Sequence, residues 1–124
     1  MRVWPTFLVV GCLALTGCVQ PTLIGEYTAR ISSNDRVNSQ GDSLTTVAAI
    51  LRQDRANFHR FGMAEAEDGD DPVFASQEER GRFERLIAKG QVSAETRRAI
   101  LNASPLVRVQ IFPNHVTVSL IDET

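Results

Sequence analysis

The stretch LVRVQIFPNHVTVSLI, residues 106–121, decides the fold. Apolar and polar residues alternate over 106–111 and again over 116–121, which is typical of β-strands with one buried face. The four residues between these runs include Pro113, whose fixed φ favours a turn. We therefore predict a β-hairpin at 106–121.

A third strand is predicted upstream, at 25–32. Tyr27, Ala29 and Ile31 alternate there with more polar side chains, so they form the buried face of this strand. The residues that follow, 33–41, are rich in Ser, Asn, Asp and Gly. This composition predicts turns rather than a regular element.

The longest predicted helix covers 44–61. Its apolar residues fall on one arc at the helical period, Asp42 or Ser43 can cap its start, and Gly62 ends it. The arc consists of Leu44, Val47, Ala48, Leu51 and Phe58. Such an arc is expected to face the core.

Two shorter helices follow. Residues 76–79 form a Ser-Gln-Glu-Glu capping box that starts a helix to Lys89, and Gly90 is expected to supply a left-handed cap. The buried stripe of this helix consists of Phe83, Leu86 and Ile87. Ser93 begins a third helix that ends before Pro105.

The order of predicted elements is β-α-α-α-β-β. It predicts an α+β domain with a three-stranded, mainly antiparallel sheet and helices packed on one face of that sheet. The chain of 124 residues has room for one such domain, at 25–124. A domain of this size can bury a core without disulfides.

The N-terminal segment has the features of an export signal. Arg2 gives it a short basic start, and the apolar run at 7–15 is far too short to span a membrane as a helix. The residues Leu15-Thr16-Gly17-Cys18 follow. This pattern resembles the lipobox of bacterial lipoproteins, which signal peptidase II cleaves, and the resemblance covers residues 1–18 only.

The lipobox resemblance implies an address for the protein. Residues 1–17 would be removed, Cys18 would carry a diacylglycerol, and 18–24 would tether the domain to the membrane. Two or three acyl chains hold a protein firmly on a bilayer. In this class an aspartate after the cysteine retains the protein at the inner membrane. Val19 stands there, so the resemblance favours the outer membrane, with the domain facing the periplasm.

Composition excludes several classes of function. The net charge is −2, and loss of Arg2 with the signal makes it −3, so nucleic-acid binding has no electrostatic support. Cys12 lies in the signal and Cys18 would be acylated, which leaves the domain no thiol for catalysis, metal binding or a disulfide. No motif of a hydrolase, zinc protease or nucleotide-binding loop occurs. We expect a protein that is not an enzyme and that uses no cofactor.

An acidic loop lies at 65–71. Its five carboxylates belong to Glu65, Glu67, Asp68, Asp70 and Asp71. An EF-hand calcium loop needs glycine and glutamate at fixed positions that this segment does not provide. His59 and His115 are too few for a metal site unless carboxylates join them. We expect a solvated loop and no metal.

Arg52, Arg55 and His59 form a basic stripe along one edge of the core face of the longest helix. Arg55 lies within the apolar arc, so its charge must pair with a carboxylate or reach water. One interpretation is an internal ion pair, which is favoured, and the other is a pocket for an anion or carboxylate. The candidate carboxylates for a pair are Glu26, Asp35 and Glu84.

The function hypothesis is a membrane-anchored accessory protein that binds another envelope protein without catalysis, for example through an exposed edge of the sheet. The alternative is a periplasmic sensor of a small ligand or ion, which would use the basic stripe or the acidic loop. An enclosed pocket lined by Arg55 would favour the sensor. A filled core with one bare sheet edge would favour protein binding.

Overall fold

The computed structural model describes residues 22–71 and 73–123. The lipobox residues Leu15–Cys18 lie outside the described residues, so the signal and the lipid attachment stay predictions. In chain order the elements are β1 (Gly25–Arg30), a 3-10 helix (Ser33–Arg36), α1 (Val47–His59), α2 (Gln77–Lys89), α3 (Ala94–Asn102), β2 (Leu106–Ile111) and β3 (Val116–Leu120).

The three strands form one antiparallel sheet in the order β1-β2-β3. Tyr27 pairs with Val109, which pairs with Val118, and all three side chains are buried in the core that the helices share. The other face of the sheet carries polar side chains, including Glu26, Gln110 and Thr117. The predicted α+β class, with a three-stranded antiparallel sheet and helices on one face, is confirmed.

The described residues share one hydrophobic core. Buried apolar side chains from Tyr27 to Val118 form one cluster, in which the rings of Phe74 and Phe83 stack with centroids 4.1 Å apart. Burial of each large apolar side chain contributes about 1.5–3 kcal/mol, so this cluster is the main source of stability. The segment from residue 22 onward therefore contains every buried apolar residue that the structure describes.

The longest helix begins later than the sequence predicts. α1 starts directly after Thr46, whose Oγ1 accepts a hydrogen bond from a backbone N–H of the first turn at 3.1 Å. The predicted caps Asp42 and Ser43 are wrong. The backbone at 43–44 pairs instead with that at 36–37, which keeps it out of the helix. Long-range pairing thus overrides the local helical period.

Two glycines have different structural roles. Gly62 follows α1 with a φ of +66°, in the left-handed region, and ends the helix as predicted. Gly90 is not the left-handed cap that the sequence predicts, because its φ is −92°. A Cβ atom at Gly90 would lie 2.0 Å from the carbonyl oxygen of Val116. Gly90 is therefore needed because the end of α2 touches β3.

The acidic loop packs on the sheet. The Gly69 N–H donates to the Thr28 carbonyl at 2.8 Å, and the Arg30 N–H donates to an Asp68 carboxylate oxygen at 2.8 Å. Glu67 also pairs with the Arg30 guanidinium at 2.9 Å. The expectation of a solvated loop is wrong for Asp71, which is buried, whereas Glu67 and Asp70 are exposed as expected. The loop therefore forms hydrogen bonds with backbone groups at the outer edge of β1, so this edge of the sheet is partly covered.

Candidate functional site

The structure divides the predicted basic stripe. Arg55 and His59 turn toward the acidic loop and meet at the Asp71 carboxylate. Arg52 turns toward α2, where its guanidinium lies 2.9 Å from the Glu84 carboxylate. The three residues therefore do not form one site. Arg55 and His59 share the buried carboxylate of Asp71, whereas Arg52 pairs with Glu84 on α2.

Arg55 is a completely buried cation with internal partners. Its Nε donates to Asp54 at 2.8 Å, while one of its terminal nitrogens donates to Asp71 at 2.9 Å and to the Gly69 carbonyl at 3.0 Å. The guanidinium also lies over the Tyr27 ring, 3.9 Å from its centroid. The carboxylates that pair with Arg55 are thus its neighbour in the helix and the last carboxylate of the acidic loop, and none of the three that the sequence suggested.

Asp71 fixes the end of the acidic loop to the core. Its Oδ2 contacts Arg55 and lies 2.7 Å from Nε2 of His59, while its Oδ1 accepts the N–H groups of Val73 and Phe74. Burial opposes ionisation, but the hydrogen bonds from His59, Phe74 and Arg55 outweigh it and lower the pKa of Asp71. Asp71 is therefore an anionic anchor.

His59, Asp70 and Asp71 approach one another closely enough to be weighed as a metal site. Their ligand atoms lie within 4.8 Å of one another. However, both Asp71 oxygens already accept hydrogen bonds, and the Arg55 guanidinium at one of them would repel a cation. The arrangement fits a structural ion-pair network better than a metal centre.

Asp54 differs from Asp71 in its electrostatics. It is 1% exposed, and its carboxylate is held by the Nε of Arg55. Burial raises the pKa of the Asp54 carboxyl to about 7, although the Arg55 charge opposes the rise. Asp54 therefore changes its charge near neutral pH, whereas Asp71 stays ionised there.

A cavity of about 250 Å³ lies between α1 and α2, on the side to which Arg52 turns. Arg52, Arg60 and Arg80 line this cavity, which we call the arginine pocket. Among the described residues, Glu84 is the one carboxylate in its wall, and Arg52 already engages it. The amide side chains in the wall belong to Asn38, Gln53 and Gln77. The pocket is therefore rich in hydrogen-bond donors and positively charged.

Arg80 is the decisive residue of the arginine pocket. It is 4% exposed, and its guanidinium donates to the carbonyls of Phe74 and Ala75 at 3.3 and 2.7 Å. Within 22–71 and 73–123 no carboxylate forms a salt bridge with it. Burial and the nearby charges of Arg60 and Arg52 lower the pKa of Arg80. The charge of Asp71 partly opposes this effect, although Asp71 forms no salt bridge with Arg80. Since buried charges are ordinarily paired directly, Arg80 is a largely buried cation that contacts carbonyl groups and, among the described residues, no carboxylate.

No match to this chain was found among family models, curated proteins or solved structures. In the part of the chain that the structure describes, none of the helices is both long and apolar enough to cross a membrane.

Sequence reasoning finds Arg52 but misses Arg60 and Arg80. A signal for Arg80 is present, because it precedes Phe83 by three residues and Ile87 by seven and so shares their buried stripe. Arg60 gives no such signal. It lies exposed at the end of α1 and joins the pocket only because α1 packs against α2.

Proposed function

We propose that this chain is a membrane-anchored lipoprotein of the bacterial envelope whose domain is a non-catalytic binding module for an anionic ligand. The lipobox resemblance at Leu15–Cys18 supports the anchor. The observation that carries the ligand class is Arg80, a guanidinium that is 4% exposed in the wall of a cavity. Among the described residues it has no carboxylate partner.

A bound anion would balance the excess positive charge of the arginine pocket. Its three guanidinium groups face the single carboxylate of Glu84, so two positive charges are in excess in the described wall. Guanidinium groups present paired N–H donors that match the oxygens of carboxylates and phosphates. A phosphate monoester carries a charge of about −1.5 to −2 at pH 7 and would balance this excess. A phosphate group therefore fits the pocket better than a single carboxylate.

The proposal takes up the ligand-binding alternative but assigns it to a pocket that the sequence does not predict. Arg55 lies in a filled core, and the acidic loop covers the outer edge of β1. Protein binding remains a second candidate function, since Val37, Phe61 and Met63 are exposed around one shallow cavity. Phe61 also lines the arginine pocket, so a partner there would lie beside the anion.

Isothermal titration calorimetry of the soluble domain (22–124) with inorganic phosphate at low ionic strength tests the proposal. We expect one saturable site, and we expect Arg80→Met to weaken it at least about tenfold, because charged hydrogen bonds contribute about 1.5–3 kcal/mol. Arg82→Met is the matched control, since Arg82 is an exposed arginine of the same helix. Equal phosphate affinity of the wild type and Arg80→Met would reject the arginine pocket as the binding site.

A further inference from the structure

The arginine pocket is one end of a longer groove along the seam between α1 and α2. Two further cavities adjoin it, and Arg52 lines all three. The middle cavity shares Gln77 with the arginine pocket, and it shares Gly81 and Arg85 with the far cavity. The three cavities therefore follow one another along the helices.

The far end of the groove is apolar. This cavity has a volume of about 500 Å³. Its apolar wall is formed by Val47, Ala48, Ile87, Ala88 and Val92. Arg85 and Arg97 lie at its rim, where long basic side chains can place their apolar stems along a ligand and keep their charges in water.

Gly81 lies in the middle of the groove, where it lines both the middle and the far cavity. A glycine inside a helix costs about 1 kcal/mol relative to alanine. An added Cβ here would lie 3.8 Å from the Arg52 guanidinium, which is an ordinary contact, so packing of the described residues does not by itself demand glycine. The absent side chain leaves room for the guanidinium groups of Arg52 and Arg85, which would lie 3.8 and 3.9 Å from that Cβ.

We propose that the ligand of this groove is a single-chain anionic amphiphile, with its phosphate or carboxylate head in the arginine pocket and its alkyl chain along the apolar end. The inference rests on the proposed function, because the head group is the anion that Arg80 lacks. Burial sets the orientation, since Arg80 in the arginine pocket is 4% exposed, whereas Arg85 and Arg97 at the far end are exposed beside the apolar wall. A cavity of about 500 Å³ suits one chain rather than the two chains of a bilayer lipid.

The Arg52–Glu84 ion pair lies where the two ends of the groove meet, because both residues line the arginine pocket and the far cavity. Its side chains are 38% and 35% exposed, so neither charge is locked in the core. An entering head group can replace Glu84 as the partner of Arg52. The pair is therefore expected to open when the amphiphile binds, and Glu84→Gln is expected to strengthen binding.

A series of n-alkyl phosphates from ethyl to decyl, each below its aggregation concentration, tests the inference by calorimetry on the soluble domain. Full burial of a methylene group strengthens binding about fourfold. Because the groove is open to water on one side, about half of each methylene is buried, and we expect an affinity gain of about twofold for each added methylene. Ala88→Phe fills the apolar wall and should abolish the dependence on chain length while inorganic phosphate still binds. Ala94→Phe, at an exposed alanine outside the groove lining, is the matched control and should leave the dependence intact.

Three outcomes separate the claims. Inorganic phosphate that binds with the same affinity as decyl phosphate overturns the amphiphile and leaves the proposed function standing. The failure of inorganic phosphate and every alkyl phosphate to bind overturns both. A domain that sediments with phosphatidylcholine vesicles containing phosphatidic acid, yet binds no alkyl phosphate in solution, overturns the single-chain ligand and assigns the head group to a bilayer lipid.

Discussion

Arg55→Met removes a fully buried charge and keeps an unbranched side chain about as long as the aliphatic stem of arginine. The substitution deletes the hydrogen bonds of the guanidinium to Asp54, Asp71 and Gly69, at 2.8, 2.9 and 3.0 Å. It also deletes the contacts with the rings of Tyr27 and Phe58. Two carboxylates are then left in the core without their shared cation.

The expected loss is about 3–5 kcal/mol in the free energy of unfolding, which is the usual cost of removing one partner of a buried ion pair. Asp71 retains its hydrogen bonds with His59 and with two backbone N–H groups, so these groups still stabilise its charge. Asp54 retains no comparable partner among the described residues and is expected to take up a proton. Because a neutral carboxyl is less costly to bury than a charged one, the expected loss in the free energy of unfolding at neutral pH lies toward the lower end of this range.

Urea unfolding of the soluble domain measures the loss. Arg82→Met is the control for replacing an arginine by methionine, and an exposed site of this kind usually changes stability by no more than about 0.5 kcal/mol. If Arg55→Met costs less than about 1 kcal/mol, the ion-pair network is not a determinant of stability. The account of Arg55 as a structural residue would then be refuted.

Three further predictions concern pH, packing and the anchor. Because burial raises the pKa of Asp54 to about 7, the folded state binds its proton more tightly than the unfolded state, and the contribution of Asp54 to stability falls as pH rises from about 4 to about 7. Asp54→Asn should flatten the decline in urea midpoint over this pH range. Gly90→Ala should cost at least about 1–3 kcal/mol in urea unfolding, because its Cβ would lie 2.0 Å from the carbonyl oxygen of Val116. Gly81→Ala, with its nearest contact at 3.8 Å, is the control and should not destabilise. Cys18→Ala should abolish incorporation of labelled palmitate and membrane retention, and equal labelling of both proteins would contradict the lipoprotein assignment.

The parts of the fold that the sequence predicts well depend on local signals. Alternation over 106–121 predicts the hairpin, because the strand period acts on consecutive side chains. Ser76 is correctly predicted as a helix cap, since its hydroxyl accepts a backbone N–H three residues later. Ser93, predicted to begin the third helix, lies directly before it and caps it in the same way. The start of α1 and the role of Gly90 are predicted wrongly. The backbone pairing of 43–44 with 36–37 and the contact of Gly90 with β3 involve residues outside the local sequence pattern.

In the candidate site, too, local signals are predicted well and contacts between distant residues are not. The helical period alone places Arg55 in the core, and the structure puts it there with no exposed surface. Its partner Asp71 belongs to a loop 16 residues away, and no periodicity links a loop to a helix. Arg80 is on the buried stripe of α2, but its lack of a carboxylate becomes evident only when α1 and α2 are packed together.

The central claim is that Arg80 is a buried cation whose missing partner is an anionic ligand. Urea unfolding of the soluble domain over a series of phosphate concentrations, with wild type and Arg80→Met compared at each, tests it most directly. We predict that the stability of the wild type rises by about 1.4 kcal/mol for each tenfold increase in phosphate above the Kd, beyond the rise seen in Arg80→Met. An equal rise in both proteins would reflect a general salt effect and would contradict the claim.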